Sequence, residues 1–358
     1  MPDNGFGVTG SGVTGRVLGF DIGGANIKAA TDDGQSASIF FPMWQRPDDL
    51  AESMVAIARR MKPCDCWAVT MTGEMADAFY DRHVGVKHIA QQTIRAAEEV
   101  GCMDVRFYSV DGSFLKIDEV LAQPDQVASA NWHALSLWAA QEIDSPALLI
   151  DVGSTTTDII PILPATVATT SRTDFDRLAA GELVYIGGSR TPVCSLVSHL
   201  PFRGKMVPVM REVFATTDDC ALVLGWSDEA VDDRMTSDGG PRTVTAAVNR
   251  LARMIGLDHR GVTLDDARSI ASSVVESASA SILDAIERQP PLHLNRWILS
   301  GHTAEYFLSA SLARSSSIRV ERLADRLGPE LSRVGPALAC AKLISKSRQQ
   351  LQTASVPQ

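Results

Sequence analysis

The chain has 358 residues, 45% hydrophobic and 21% charged, a balance of a folded globular protein long enough for two domains of ordinary size. Its net charge of −10 argues against a nucleic-acid surface, which needs clustered Lys and Arg to displace counterions. No apolar run reaches the roughly 18–20 residues of a membrane span, and the Gly-, Ser- and Thr-rich residues 1–15 lack the apolar core of a secretion signal, so a cytoplasmic protein with a loose N-terminal tail is expected.

In chain order, apolar Val17–Phe20 reads as a buried strand ending at Asp21. The turn Gly23-Gly24 leads to a second strand, Asn26–Thr31, and a third follows at Ser36–Phe41. The period then changes. Leu50, Met54, Ile57, Ala58 and Met61 share a helical face, Asp49 and Glu52 have the spacing of a capping box, and Pro63 ends the helix. A strand Trp67–Met71 precedes Thr72-Gly73-Glu74. Helix His88–Val100 stops at Gly101, strand Val105–Val110 follows, and a helix across Gln126–Glu142 closes the half.

The same opening then recurs. Strand Ala147–Ile150 runs into Asp151 and the turn Gly153-Ser154-Thr155-Thr156, with Ile159–Leu163 as its hairpin partner. Helices are expected near Thr217–Leu224, Val244–Ile255 and Leu264–Arg288, with a polar surface loop over Ser227–Arg242. A strand Arg296–Leu299 is followed by Ser300-Gly301-His302 and a helix from Thr303, and a closing helix covers Gly335–Ser345. The order β-β-β-α-β-α-β-α, opening twice with a glycine hairpin, predicts an α/β protein of two RNase H-like domains, at 16–145 and 146–348.

Six scattered cysteines include one C-x-C pair, Cys64 and Cys66, which has neither zinc-ribbon nor redox spacing; reduced core thiols are expected. The chemistry is carried by the two strand–Asp–glycine turns. Glycine lets the backbone approach a ligand closely, successive N–H groups in such a turn make an anion site, and an Asp at the strand end can hold Mg²⁺ through water.

These turns resemble the two phosphate loops of the actin-like ATPase (ASKHA) superfamily, which includes sugar kinases and chaperones. Arg296–His302 is similar to the later strand that faces adenosine in its nucleotide-binding members. That likeness implies a central inter-lobe cleft, Mg²⁺ at Asp21 and Asp151, phosphates around Gly23, Gly24, Gly153, Ser154 and Thr155, and phosphate or substrate contacts at Asn26, Thr72, Gly73, Thr156 and Gly301. His302 departs from the small residue of nucleotide binders, which sets ATP behind Mg²⁺ as the implied cofactor.

A narrower likeness runs through Gly19–Lys28, Met71–Met75, Asn131-Trp132, Asp151–Asp158, Arg177-Leu178, Gly181–Tyr185, Arg190–Pro192, Phe214–Thr217 and Asp238–Arg242. It resembles the hydantoinase/oxoprolinase-related proteins of tetrahydromethanopterin-linked one-carbon metabolism, whose archaeal members are methanofuran-pathway synthases. The resemblance implies a transferase that joins an aminomethylfuran-methyl diphosphate to the phenol of a glutamyl-tyramine or tyrosine acceptor, releasing pyrophosphate. An ATP-dependent small-molecule kinase or a hydantoinase/oxoprolinase-type hydrolase is the alternative. Expected partners are small molecules rather than nucleic acid or membrane, with room for a homodimer.

Glu74 and Asp158 are the candidate bases toward the phenol, although Glu74 also has the position to cap a short helix at Met75–Tyr80. Lys28, Glu182 and Arg190 are candidates to contact substrate. Lys28 is equally compatible with a surface lysine, and Arg190 with a structural pair to Glu182. Trp132, Leu135 and Trp138 read as core packing.

Overall fold

The computed structural model describes residues 15–291, 295–301, 303–314 and 318–354. The first fourteen residues of the expected tail, and His302, lie outside the described residues. Two compact units emerge, one running to Trp138 and resuming at Val334, the other spanning Ala139–Arg333.

In the first unit β1 (Val17–Gly23) is apolar without alternation because both of its faces are covered. It pairs antiparallel with β2 (Asn26–Thr31), which pairs with edge strand β3 (Ser36–Phe40). On its other side β1 pairs parallel with β4 (Cys66–Thr72), then β5 (Asp104–Tyr108) and the short antiparallel β6 (Phe114–Leu115) follow. The sheet order is β3-β2-β1-β4-β5-β6, the RNase H-like arrangement of a meander followed by parallel crossovers.

The crossover helices differ from expectation in detail. α1 (Leu50–Arg60) buries Leu50, Met54 and Ile57, but Asp49 makes no capping bond. Pro47 initiates a tight turn over residues 47–49 whose first carbonyl takes the Leu50 N–H, so Asp49 is not in the extended conformation a cap requires. α2 (Arg82–Glu99) starts earlier than predicted, because the Asp81 carboxylate accepts the Val84 N–H at 2.9 Å. The helix expected across Gln126–Glu142 is the shorter α4 (Asn131–Gln141), and α3 (Ile117–Ala122) precedes it where no helix was expected.

The second unit repeats the plan. β7 (Ala147–Val152) pairs with β8 (Thr157–Leu163), which carries β9 (Thr166–Val167) and, after α5 (Asp174–Ala180), β10 (Leu183–Val184). α6 (Val193–Leu196) leads to a separate hairpin of β11 (His199–Phe202) and β12 (Lys205–Pro208), whose turn residues Arg203 and Gly204 both have positive φ. α7 (Thr217–Val223) and α8 (Val244–Arg253) pack with α9 (Leu264–Glu287), which is stopped at its start by a Thr263/Asp266 capping box. β13 (Arg296–Ser300) then lies parallel to β7, with α10 (Ala304–Arg314) and β14 (Arg319–Arg322) after it. The sheet order is β10-β8-β7-β13-β14. α11 (Leu323–Leu327) and α12 (Pro329–Arg333) end the unit.

The closing helix, α13 (Gly335–Ala354), belongs with the first unit rather than with the second domain predicted over 146–348. The cause is Gly19. A Cβ built there would sit 1.9 Å from the Ala337 carbonyl oxygen, so only glycine lets α13 lie this close to β1. All six cysteines are reduced, and no described helix is long and apolar enough to cross a membrane.

Candidate active site

In the first unit, β1 carries Asp21 to the end of the sheet and the chain reverses at Gly23-Gly24 before Asn26 begins β2. The turn is held open for a close neighbour. The Gly73 N–H donates to the Ile22 carbonyl at 3.0 Å, and a Cβ on Gly73 would meet the Gly23 carbonyl carbon and oxygen at 3.0 Å. Thr72 places its Oγ1 3.5 Å from where a Gly23 Cβ would be, while Gly24 borders open space. Thus Gly23, Gly24, Thr72 and Gly73 form one small backbone surface.

Behind that surface the side chains are ordered by strand register. Asp21 stands opposite Lys28 on β2 and opposite Thr70 on β4. Asp21 is buried, and the Lys28 ammonium lies 4.0 Å from its carboxylate. Lys28 is therefore the counter-charge of Asp21 rather than a freely solvated surface lysine. The Thr70 hydroxyl is buried without a hydrogen-bond partner.

Glu74 follows directly. Residues 75–80 form turns and no helix, so the carboxylate caps nothing there. It is fully buried and accepts a hydrogen bond from the Ser129 hydroxyl at 2.7 Å. α2 presses on its backbone, since a Cβ on Gly85 would fall 2.0 Å from the Glu74 carbonyl oxygen.

The second unit builds a comparable turn with a richer frame. The Gly153 N–H closes the turn on the Thr156 carbonyl at 2.9 Å. The segment after β10 then wraps it: Gly188 N–H donates to the Gly153 carbonyl at 2.9 Å, and the Ser189 and Arg190 N–H groups donate to the Ser154 carbonyl at 3.2 and 2.9 Å. Gly187 permits this approach, because a Cβ there would be 2.4 Å from the Thr155 nitrogen. Thr157, Thr191 and Thr217 fasten the same segment by hydroxyl bonds to Ile186 and Gly187. From the other side Gly301, at φ +81°, brings the end of β13 against the Val152 carbonyl, where a Cβ would be 2.0 Å away.

Register again sets the row behind the turn. Asp151 stands opposite Asp158 on β8 and Ser300 on β13. Asp158 is buried and bonded to the guanidinium of Arg177, which also reaches Asp174 at 3.1 Å. Burial raises the Asp158 carboxyl to about 6, against the pull of Arg177 and with the help of the Asp151 charge. The Ser300 hydroxyl is buried without a hydrogen-bond partner.

Among the described residues no three His, Cys, Asp or Glu side chains gather as a complete cage for a metal ion. Two register-paired carboxylates beside a spare hydroxyl do fit Mg²⁺, which takes one or two carboxylates and keeps most of its water.

The remaining expected residues are also placed. Glu182 accepts from the Thr169 hydroxyl at 2.5 Å. Arg190 is exposed and contributes its backbone N–H to the Ser154 carbonyl. Asp238 and Arg242, read as a loop, are tied down: Arg242 binds Asp218 bidentately at 2.7 and 2.8 Å, and Asp238 meets the fully buried Arg250 at 3.2 Å. Sequence reasoning assigned no role to Arg177, Ser129, Thr70 or Ser300. The signal available for Arg177 was its place in the Arg177-Leu178 motif, and a buried guanidinium requires a carboxylate.

Comparison with known proteins gives a consistent result. The profile of the hydantoinase/oxoprolinase family matches residues 65–334, well over half of the chain. The (4-{4-[2-(γ-L-glutamylamino)ethyl]phenoxymethyl}furan-2-yl)methanamine synthase of Methanocaldococcus jannaschii is 32% identical over 92% of this chain and 98% of its own. The protein of the same name from Methanococcus vannielii is 29% identical over 58% of this chain and 94% of its own. Among solved structures, nucleotide-free acetone carboxylase aligns with a TM-score of 0.51 at 11% identity, covering 91% of this chain and 70% of that one, a likeness of fold.

Proposed function

We propose a function from one premise: the chain belongs to the hydantoinase/oxoprolinase family. Within it, we infer a transferase that forms an aryl furfuryl ether in methanofuran-type cofactor biosynthesis. The observation that carries this reading is the full-length similarity to a synthase whose name describes a phenoxymethyl-furan product.

In the reaction inferred, the phenol oxygen of a glutamyl-tyramine or tyrosine acceptor forms a bond to the methylene of an aminomethylfuran-methyl diphosphate. The bond from that methylene to the diphosphate oxygen breaks with its electron pair, pyrophosphate departs, and the phenol proton passes to a base. The backbone N–H groups of the Gly23-Gly24 and Gly153–Thr156 turns are suited to bind phosphate oxygens, and Lys28 adds a positive charge behind the first of them. Asp151, beside Asp158, is the carboxylate best placed for Mg²⁺, which when bound would neutralise charge on the leaving group, whereas Asp21 is balanced by Lys28.

A phenol with an ordinary pKa near ~10 needs a base to attack at neutral pH. Glu74 is the better of the two expected carboxylates for that role. It follows immediately on the glycine surface of the first turn, whereas Asp158 is committed to Arg177.

The test is incubation of the purified chain with the furan-methyl diphosphate, Mg²⁺ and γ-glutamyltyramine or a tyrosine-bearing acceptor. Mass spectrometry of an ether together with stoichiometric pyrophosphate supports the reading. Steady ADP production from ATP without an ether replaces it with an ATP-dependent kinase or hydrolase.

A further inference from the structure

Ser129 has three unusual properties for a loop residue. Its φ is +47°, in the left-handed region that a side chain with a Cβ adopts at a cost. Its neighbours Val127, Ala128 and Ala130 are buried, so the loop before α4 is a packed element rather than a solvated connection. Its hydroxyl donates to Glu74 Oε1 at 2.7 Å across 55 residues of sequence.

Glycine or asparagine is the residue that this backbone conformation favours, and serine there trades conformational comfort for a short donor. The other surroundings of Glu74 are equally committed. Gly85 lets α2 close over its carbonyl, and Gly73 fixes the preceding residue against the Gly23-Gly24 turn. The main chain of Glu74 is thereby pinned on both sides, and the Ser129 hydroxyl holds one carboxylate oxygen.

We infer that Ser129 is a positioning residue, which fixes the Glu74 carboxylate in the orientation that receives the acceptor's phenolic proton. This rests on the ether-forming reading above. Ser129 itself touches no reacting atom; it restrains one carboxylate oxygen and with it the orientation of the group.

The test uses the full chain and three substitutions. Ser129→Gly accommodates the positive φ and removes only the donor, so the chain is expected to fold, with thermal stability lowered by the lost hydrogen bond to a buried carboxylate. Its kcat for ether formation is expected to fall about 10- to 100-fold, the range for losing a hydrogen bond to a charged group, with KM for the diphosphate unchanged. Ser129→Asn, which tolerates the same backbone and restores a donor, is expected to recover part of that loss. In a Glu74→Gln background, Ser129→Gly is expected to cost little more, because the pair acts as one unit.

Equal losses from Ser129→Gly in both backgrounds, or full activity of Ser129→Gly, overturn the inference while leaving the function intact. A parent chain that makes no ether from the two substrates overturns both.

Discussion

The two units place comparable rows of side chains on corresponding strands and give them different charge. In the first, Lys28, Asp21 and Thr70 lie side by side across β2, β1 and β4. In the second, Asp158, Asp151 and Ser300 occupy β8, β7 and β13. The central aspartate and the hydroxyl on the parallel neighbour are retained, and both hydroxyls are buried without a hydrogen-bond partner. Only the hairpin partner changes sign, from lysine to aspartate. A row of one positive and one negative charge suits an anion at its turn, whereas two carboxylates suit a cation. A duplicated fold has thus been divided electrostatically, and the proposed roles of its turns differ accordingly.

Arg177 is the point at which the division is most easily broken. Its side chain is only 2% exposed, and it is the guanidinium that lets Asp158 sit buried beside Asp151. Replacing it by methionine leaves an uncompensated buried carboxylate, and a loss of about 3–5 kcal/mol is expected. Thermal unfolding with and without Mg²⁺ would measure it. Adding Asp158→Asn to Arg177→Met should return most of the stability, because the unpaired charge is then gone. Failure of the second change to help would mean that Arg177 acts through packing alone.

Neutralising the central aspartates sharpens the comparison. Asp151→Asn is expected to lower turnover on the order of 10²- to 10³-fold and to raise the Mg²⁺ concentration needed for half-maximal rate. Asp21→Asn should also reduce turnover but leave the Mg²⁺ requirement nearly unchanged, because Lys28 already balances that carboxylate at 4.0 Å. Lys28→Met tests the same point from the other side. The pair is partly exposed and solvent-screened, so a cost of only about 1 kcal/mol is expected. Identical Mg²⁺ dependence in both aspartate variants would erase the proposed difference between the turns.

Much of this was legible in the chain. Two apolar strands ending in Asp and glycine predict the hairpins, and the glycine positions follow from how closely the backbones must approach. Register was not legible, because opposing Asp21 to Lys28 or Asp151 to Asp158 depends on turn lengths that propensity does not determine. Nor was the return of α13 to the first unit, which depends on the single missing side chain of Gly19. Ser129 gave no signal at all, since serine in a loop is ordinary and its backbone conformation is invisible in sequence. Asp49 misled because the Pro47 turn holds it out of the extended conformation from which its carboxylate could cap α1.

The smallest expected effect concerns carboxylates at the surface, one exposed and one half-buried, where the two units behave alike. Asp33 in the first unit is held below the usual range, chiefly by the Thr31 hydroxyl, with Lys62 and Arg16 helping against desolvation. Asp266 in the second is lowered to about 2 by the Arg203 guanidinium and by the Thr263 cap. A carboxyl depressed in the folded state contributes stability above its unfolded pKa near 4 and loses it as the pH falls toward its folded value. Acid should therefore weaken both units gradually between pH 4 and about 2. Asp266→Asn should flatten that slope slightly and leave stability at neutral pH modestly reduced, a change readable in thermal melts across pH. If the slope were unaltered, the Arg203–Asp266 pair would contribute nothing measurable, and the electrostatic contrast between the units would rest wholly on their buried rows.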